Sequence, residues 1–201
     1  VICNLLYHNI KSTFTIFDEE WDSLIFLDAC RYETFRKIIK KVKIKGRLEF
    51  RISKGSDTPS FLKENFQTRH RDLIIVTANP FVDKIIKNKV YRVISSWSYG
   101  WANDLNTVDP RIVYLDALSI IKKYPNKKLI IFFLQPHSPY PNGTGETCAI
   151  QDFQNVMKNE KQKSKYKINE KFYVDDWHYV DFRHLPVKKL KEGYLQNLRL
   201  V

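Results

Sequence analysis

The sequence predicts an α/β fold, a mainly parallel sheet flanked by helices on both faces. Short, continuous apolar runs such as "SLIFLD", "DLIIVT" and "LIIFFLQP" have the composition of strands buried on both sides. Segments with helical periodicity separate these runs, the alternation that builds parallel sheets. At 201 residues and 43% hydrophobic content, the chain is long and apolar enough for one core, so residues 1–201 are expected to form a single domain.

Taken in order, Ser23–Asp28 reads as the first buried strand. A helix follows from about Tyr32 to Lys41, with Phe35, Ile38 and Ile39 on one side. Leu48–Ser53 alternates and reads as a second strand. In "KGSDTPSFLKENF" a glycine turn leads to Thr58 as a helix cap and Pro59 at the first helical position. Asp72–Pro80 is a buried strand ending in turn residues, and Val90–Ser95 is another. Asp109 and Pro110 start a longer helix, whose Ile112, Val113, Leu115, Leu118 and Ile121 keep helical spacing. The most apolar strand, "KKLIIFFLQP", ends at a histidine between two prolines. Residues 141–186 carry weaker signals and read as an irregular insertion or lid, and an amphipathic helix is expected from Pro186 to the end.

Lys and Arg number 34 against 22 Asp and Glu, a net charge of +12 that favours anionic partners. A Lys-dotted stretch from Lys158 to Lys171 has aromatic neighbours but no DNA or RNA motif, which argues against nucleic acid as the partner. Three distant cysteines form neither a disulfide framework nor a zinc spacing. No apolar run reaches transmembrane length and no signal peptide is legible, so a cytoplasmic location is the expectation. The common nucleotide-binding glycine loops and the serine-hydrolase elbow are absent.

In parallel sheets, ligands bind beyond the carboxyl ends of the strands. Four polar groups are placed there by this reading: Asp28, the Ser56/Thr58 turn, Asn79 and His137. Asp28 is either a helix cap or a hard oxygen ligand for a divalent cation. Arg31 would pair with Asp28 or with a substrate anion. Thr58 is either a cap or a nucleophile at a helix start, with Ser56 as a second candidate. Asn79 is a turn residue or a polar site group. His137, in a stretch stiffened by prolines, would bind an ester oxygen or a metal, with Gln135 and Tyr140 at the same mouth.

Five stretches then carry a resemblance. "WDSLIFLDACRYETF", "SKGSDTPSFL", "IIVTANPFV", "WSYGWANDLNTVDP" and "LIIFFLQPHSPY" resemble, in that order, an archaeal sulfatase-like group of the alkaline phosphatase superfamily. The likeness runs from about Trp21 to Tyr140 and returns near "YLQNL". It implies Asp28 as a metal ligand, Thr58 (or Ser56) as the nucleophile and His137 as an anion-binding or metal-proximal residue; Arg31 and Asn79 are the further substrate-binding candidates from the residue reading. The implied activity is metal-dependent hydrolysis or transfer at phosphate or sulfate esters, with zinc, calcium, magnesium or manganese as cofactor. The implied partner is an anionic ester, such as a surface glycan or its precursor. Such proteins complete their metal site with a later Asp-His-Gly segment, which is missing from these residues. The chain is therefore expected to be the N-terminal part of a longer enzyme. The alternative is a non-catalytic sulfatase-like domain that binds an anionic glycan.

Overall fold

The computed structural model describes residues 15–41, 46–49, 51–138, 140 and 187–201. Their main element is a parallel sheet of four strands: β1 (Ser23–Asp28), β2 (His70–Thr77), β3 (Val90–Ser95) and β6 (Lys128–Pro136). The spatial order is β1-β6-β2-β3, so the most apolar strand takes a central place. Two short antiparallel strands, β4 (Trp101–Ala102) and β5 (Thr107–Val108), form a separate ribbon. Helix α1 (Tyr32–Ile39) follows β1, α2 (Thr58–Asn65) precedes β2, α3 (Pro80–Ile86) links β2 to β3, and α4 (Pro110–Lys123) precedes β6. The last helix, α5 (Val187–Leu198), lies against β6.

The period-2 geometry of β2 and β6 divides the core between two faces. Leu73, Ile75, Ile130 and Phe132 pack with Leu62 and Phe66 of α2 and with Phe81, Val82 and Ile86 of α3. Ile74, Val76, Leu129 and Phe133 face the other way, onto Val113, Ala117 and Ile120 of α4. The α/β expectation holds, with helices on both faces of a parallel sheet.

Several local readings are corrected. Residues 48–49 and 51–53 belong to no strand, and residue 50 lies outside the described set. Alternation there reflects side chains such as Glu49 and Arg51 that pair with each other on the surface instead of joining a ladder. Helix α2 is capped by Asp57, not Thr58. The Asp57 carboxylate accepts from Ser60 N–H at 2.8 Å while Asp57 N–H donates to Ser60 Oγ at 3.3 Å. On α4, Asp109 and Pro110 start the helix as expected, but Val113, Ala117 and Ile120 form the buried stripe. Leu115, on nearly the opposite face, and Ile121, roughly a fifth of a turn from that stripe, are 59% and 47% exposed. The insertion at 141–186 and its lysines lie outside the described residues. Among the described residues no helix is long and apolar enough to cross a membrane.

The contrast between centre and edge of the sheet gives a stability prediction. Ile130 in β6 is 1% exposed, whereas Ile25 in the edge strand β1 is 59% exposed. Ile130→Ala is expected to cost about 2–5 kcal/mol in urea unfolding, and Ile25→Ala no more than about 0.5 kcal/mol. Equal losses would show that β1 is covered in solution.

Candidate active site

The carboxyl ends of the strands meet at Asp28. The β1–β6 register is regular through Leu27 and Phe133 and then slips, so that Asp28 stands opposite Pro136. This slip brings the residue after Pro136, His137, to the same rim as Asp28. Ala29 follows with φ 58°, in the left-handed region, and Cys30 N–H closes the turn on Leu27 O at 3.2 Å. The chain therefore turns sharply away, leaving the Asp28 carboxylate at the strand end.

Both carboxylate oxygens are satisfied by neutral donors. Thr58 Oγ1 donates to Oδ1 at 3.1 Å, and Asn79 Nδ2 donates to Oδ2 at 2.6 Å. Because Asp57 has taken the capping role on α2, the Thr58 hydroxyl is available to reach across to β1. Asn79 is both turn residue and site group. Its Oδ1 accepts from Phe81 N–H at 2.9 Å, capping α3, while its amide nitrogen holds Asp28. Asn79 N–H in turn donates to Thr77 Oγ1 at 2.9 Å. Asp28 caps no helix, since Arg31 occupies that position on α1.

Asp28, Ser56, Thr58, Asn79 and His137 line one cavity of about 660 Å³. That is room for a small-molecule ligand. Asp57 and Cys30 join the same wall, Phe61 and Phe81 supply apolar surface, and no Lys or Arg is among the described lining residues. Ser56 is exposed and its hydroxyl lies 3.4 Å from Asp57 Oδ2. His137 is fixed by Nδ1, which lies 2.6 Å from the Ser138 carbonyl oxygen. Arg31 is exposed and lies just outside the lining, one residue beyond Cys30. Gln135 does not reach the mouth. It is fully buried and donates to Val108 O at 2.7 Å and Thr107 Oγ1 at 3.2 Å, tying β6 to the ribbon.

Two residues missed in the sequence reading complete the arrangement. Gly55 lies so close to α2 that a Cβ there would fall 2.2 Å from Phe61 N and 2.5 Å from its Cα. Tyr194 of α5 binds the turn after Asp28: Arg31 N–H donates to its hydroxyl oxygen at 2.8 Å, and its hydroxyl donates to Ala29 O at 3.3 Å. Burial is the main cause that pushes the Tyr194 hydroxyl up to about 12. Burial likewise pushes the Cys30 thiol up, opposed by its contact with Tyr194. The "SKGSDTP" glycine was visible as a turn, but close approach to a helix leaves no trace in local sequence.

A hard carboxylate oxygen and a hydroxyl at one point suit magnesium, calcium, manganese or zinc. Two carboxylates, with no lysine or arginine among the described lining residues, also favour a cation there. Asp28 and Thr58 would supply two of the several donors such an ion takes. Among the described residues no cluster of three or more His, Cys, Asp or Glu side chains could hold a metal. No family model, no curated protein and no solved structure matches this chain.

Gly55→Ala is expected to push the 53–57 loop off α2 and to cost about 1–3 kcal/mol in urea unfolding. Asp57→Ala should cost about 1 kcal/mol through loss of the cap alone. The Tyr194 shift gives a sign for alkaline pH. Its hydroxyl titrates at about 12 against a usual 10, so its contribution is complete below pH 10 and disappears as pH rises through 12. The urea midpoint of the unmodified chain should therefore fall more steeply between pH 10 and 12 than that of Tyr194→Phe. Parallel curves would show that the tyrosine ionises equally in both states.

Proposed function

We propose that this domain is the sulfatase-like part of a metal-dependent hydrolase or transferase acting on phosphate or sulfate esters, as in the alkaline phosphatase superfamily. The observation that carries the reading is the 3.1 Å contact between Thr58 Oγ1 and Asp28 Oδ1 inside the cavity. It joins a candidate nucleophile to a hard carboxylate from another strand end. Thr58 is favoured over Ser56, whose hydroxyl lies beside Asp57 instead.

A divalent cation held by Asp28 and Thr58 would supply a Lewis acid that lowers the hydroxyl's pKa and offsets the charge of the ester. The chain's own residues would do the rest. Thr58 Oγ1 forms the new bond to phosphorus or sulfur, and its proton passes towards Asp28 Oδ1. The bond to the ester's leaving oxygen breaks on the opposite side. Water or an acceptor hydroxyl then takes the transferred group from Thr58. Asn79 keeps Asp28 oriented throughout, and His137 is placed to meet the ester's oxygens at the cavity wall. Anionic esters, including glycan sulfates or phosphates, are the proposed substrates.

The non-catalytic alternative, an anionic-glycan binder, is less well supported. Two carboxylates, with no lysine or arginine among the described lining residues, oppose an anion unless a cation sits between them.

The deciding experiment measures turnover of 4-nitrophenyl phosphate and 4-nitrophenyl sulfate with each of the four metals. Thr58→Ala should lose at least about a thousandfold in kcat, and Ser56→Ala should stay close to the unmodified chain. Full turnover by Thr58→Ala would remove Thr58 from the mechanism. No turnover by the unmodified chain, together with metal-dependent binding of a sulfated glycan, would select the binder.

A further inference from the structure

The turn that aims Asp28 is held from the far end of the chain. Ala29 has φ 58°, a conformation unfavourable for a residue with a Cβ. The turn has its own closing bond, from Cys30 N–H to Leu27 O at 3.2 Å. Tyr194 adds two more, accepting from Arg31 N–H at 2.8 Å and donating to Ala29 O at 3.3 Å. The tyrosine is itself braced, because the Tyr140 ring meets it edge-on at 6.4 Å and 78°. Its helix rests on β6, the strand that pairs with β1 and carries the chain to His137.

We propose that Tyr194 is a positioning residue for Asp28: by holding Ala29 O and Arg31 N–H, on either side of Cys30, it fixes the chain as it leaves the left-handed turn and so fixes where the carboxylate meets Thr58 and Asn79. The proposal rests on the reading of Asp28 as the anchor of the site. Tyr194 is not itself among the described lining residues and touches no reacting atom; it meets the lining at Ala29 and Cys30, so it would act through residues 29–31. A helix that merely docked on the sheet would need the ring of Tyr194 and not its hydroxyl. One of the two backbone partners of that hydroxyl, Ala29 O, belongs to the residue next to Asp28, and this is the feature that distinguishes positioning from docking.

The test is a double-mutant cycle in urea unfolding with EDTA present, using Tyr194→Phe, Asp28→Asn and the double variant. Tyr194→Phe keeps the ring and its packing, so the fold should survive. The expected result is coupling: the double variant loses less than the sum of the two single losses, because a misplaced Asp28 has already lost part of its hydrogen bonding. Strictly additive losses would overturn the proposal, whatever else is observed. A second arm follows Mn²⁺ binding by electron paramagnetic resonance. Tyr194→Phe should weaken Mn²⁺ about tenfold, the scale of losing an outer support of a metal ligand. Unchanged Mn²⁺ affinity in Tyr194→Phe would overturn the proposal. Coupled losses in a chain that binds no Mn²⁺ even when unmodified would support the positioning role and defeat the metal site of the proposed function.

Discussion

The arrangement depends on a buried carboxylate whose two oxygens are claimed by two different parts of the chain. Moving a carboxyl group out of water costs several kcal/mol unless its acceptors are filled. Asp28 is 8% exposed, and a hydroxyl from α2 and an amide from the start of α3 fill them. Asn79 also caps α3 with its other amide atom, and Thr58 opens α2 directly after its cap, Asp57. The strand end and two helix starts are thus tied at one point, and none can shift without leaving a buried polar group unpaired.

The fold was legible because its signals are strong and local. Continuous apolar runs located β1, β2, β3 and β6, and Asp109-Pro110 located the start of α4. The failures have physical causes. Leu48–Ser53 has the alternation of a strand, but alternation cannot show whether a neighbouring strand is available to pair with it. Thr58 and Asp57 are both good caps at adjacent positions, and only the reach of Ser60 back to Asp57 decides between them. Leu115 and Ile121 belong to a helix whose apolar set is wider than the stripe that contacts the sheet.

The site was partly legible for a topological reason. Parallel strands point their carboxyl ends in one direction, so polar residues at those ends meet whatever their separation in sequence. This placed Asp28, Asn79 and His137 together; Thr58 follows a segment that is no strand and joins them from the start of α2 through its contact with Asp28. Strand direction could not place Arg31, whose position depends on the turn at Ala29, nor Gln135, which the slip in β6 directs into the interior. The charge count was a weaker guide. The chain carries +12 overall, yet the described residues of the cavity lining include no lysine or arginine. On the described surface some of the positive charge rests on aromatic faces instead, as with Lys127 over Tyr91 at 4.3 Å and Lys123 near Tyr124 at 5.7 Å.

The position of β1 has a consequence during synthesis. Ser23 pairs with Leu129, and among the described residues β6 is the sole strand paired with β1. A ribosome therefore releases this apolar ribbon long before its mate exists. Sequence-distant pairing of this kind slows collapse to the native arrangement and leaves sticky intermediates for longer. For this polypeptide, the interval between translating β1 and translating β6 is when a chaperone would matter most.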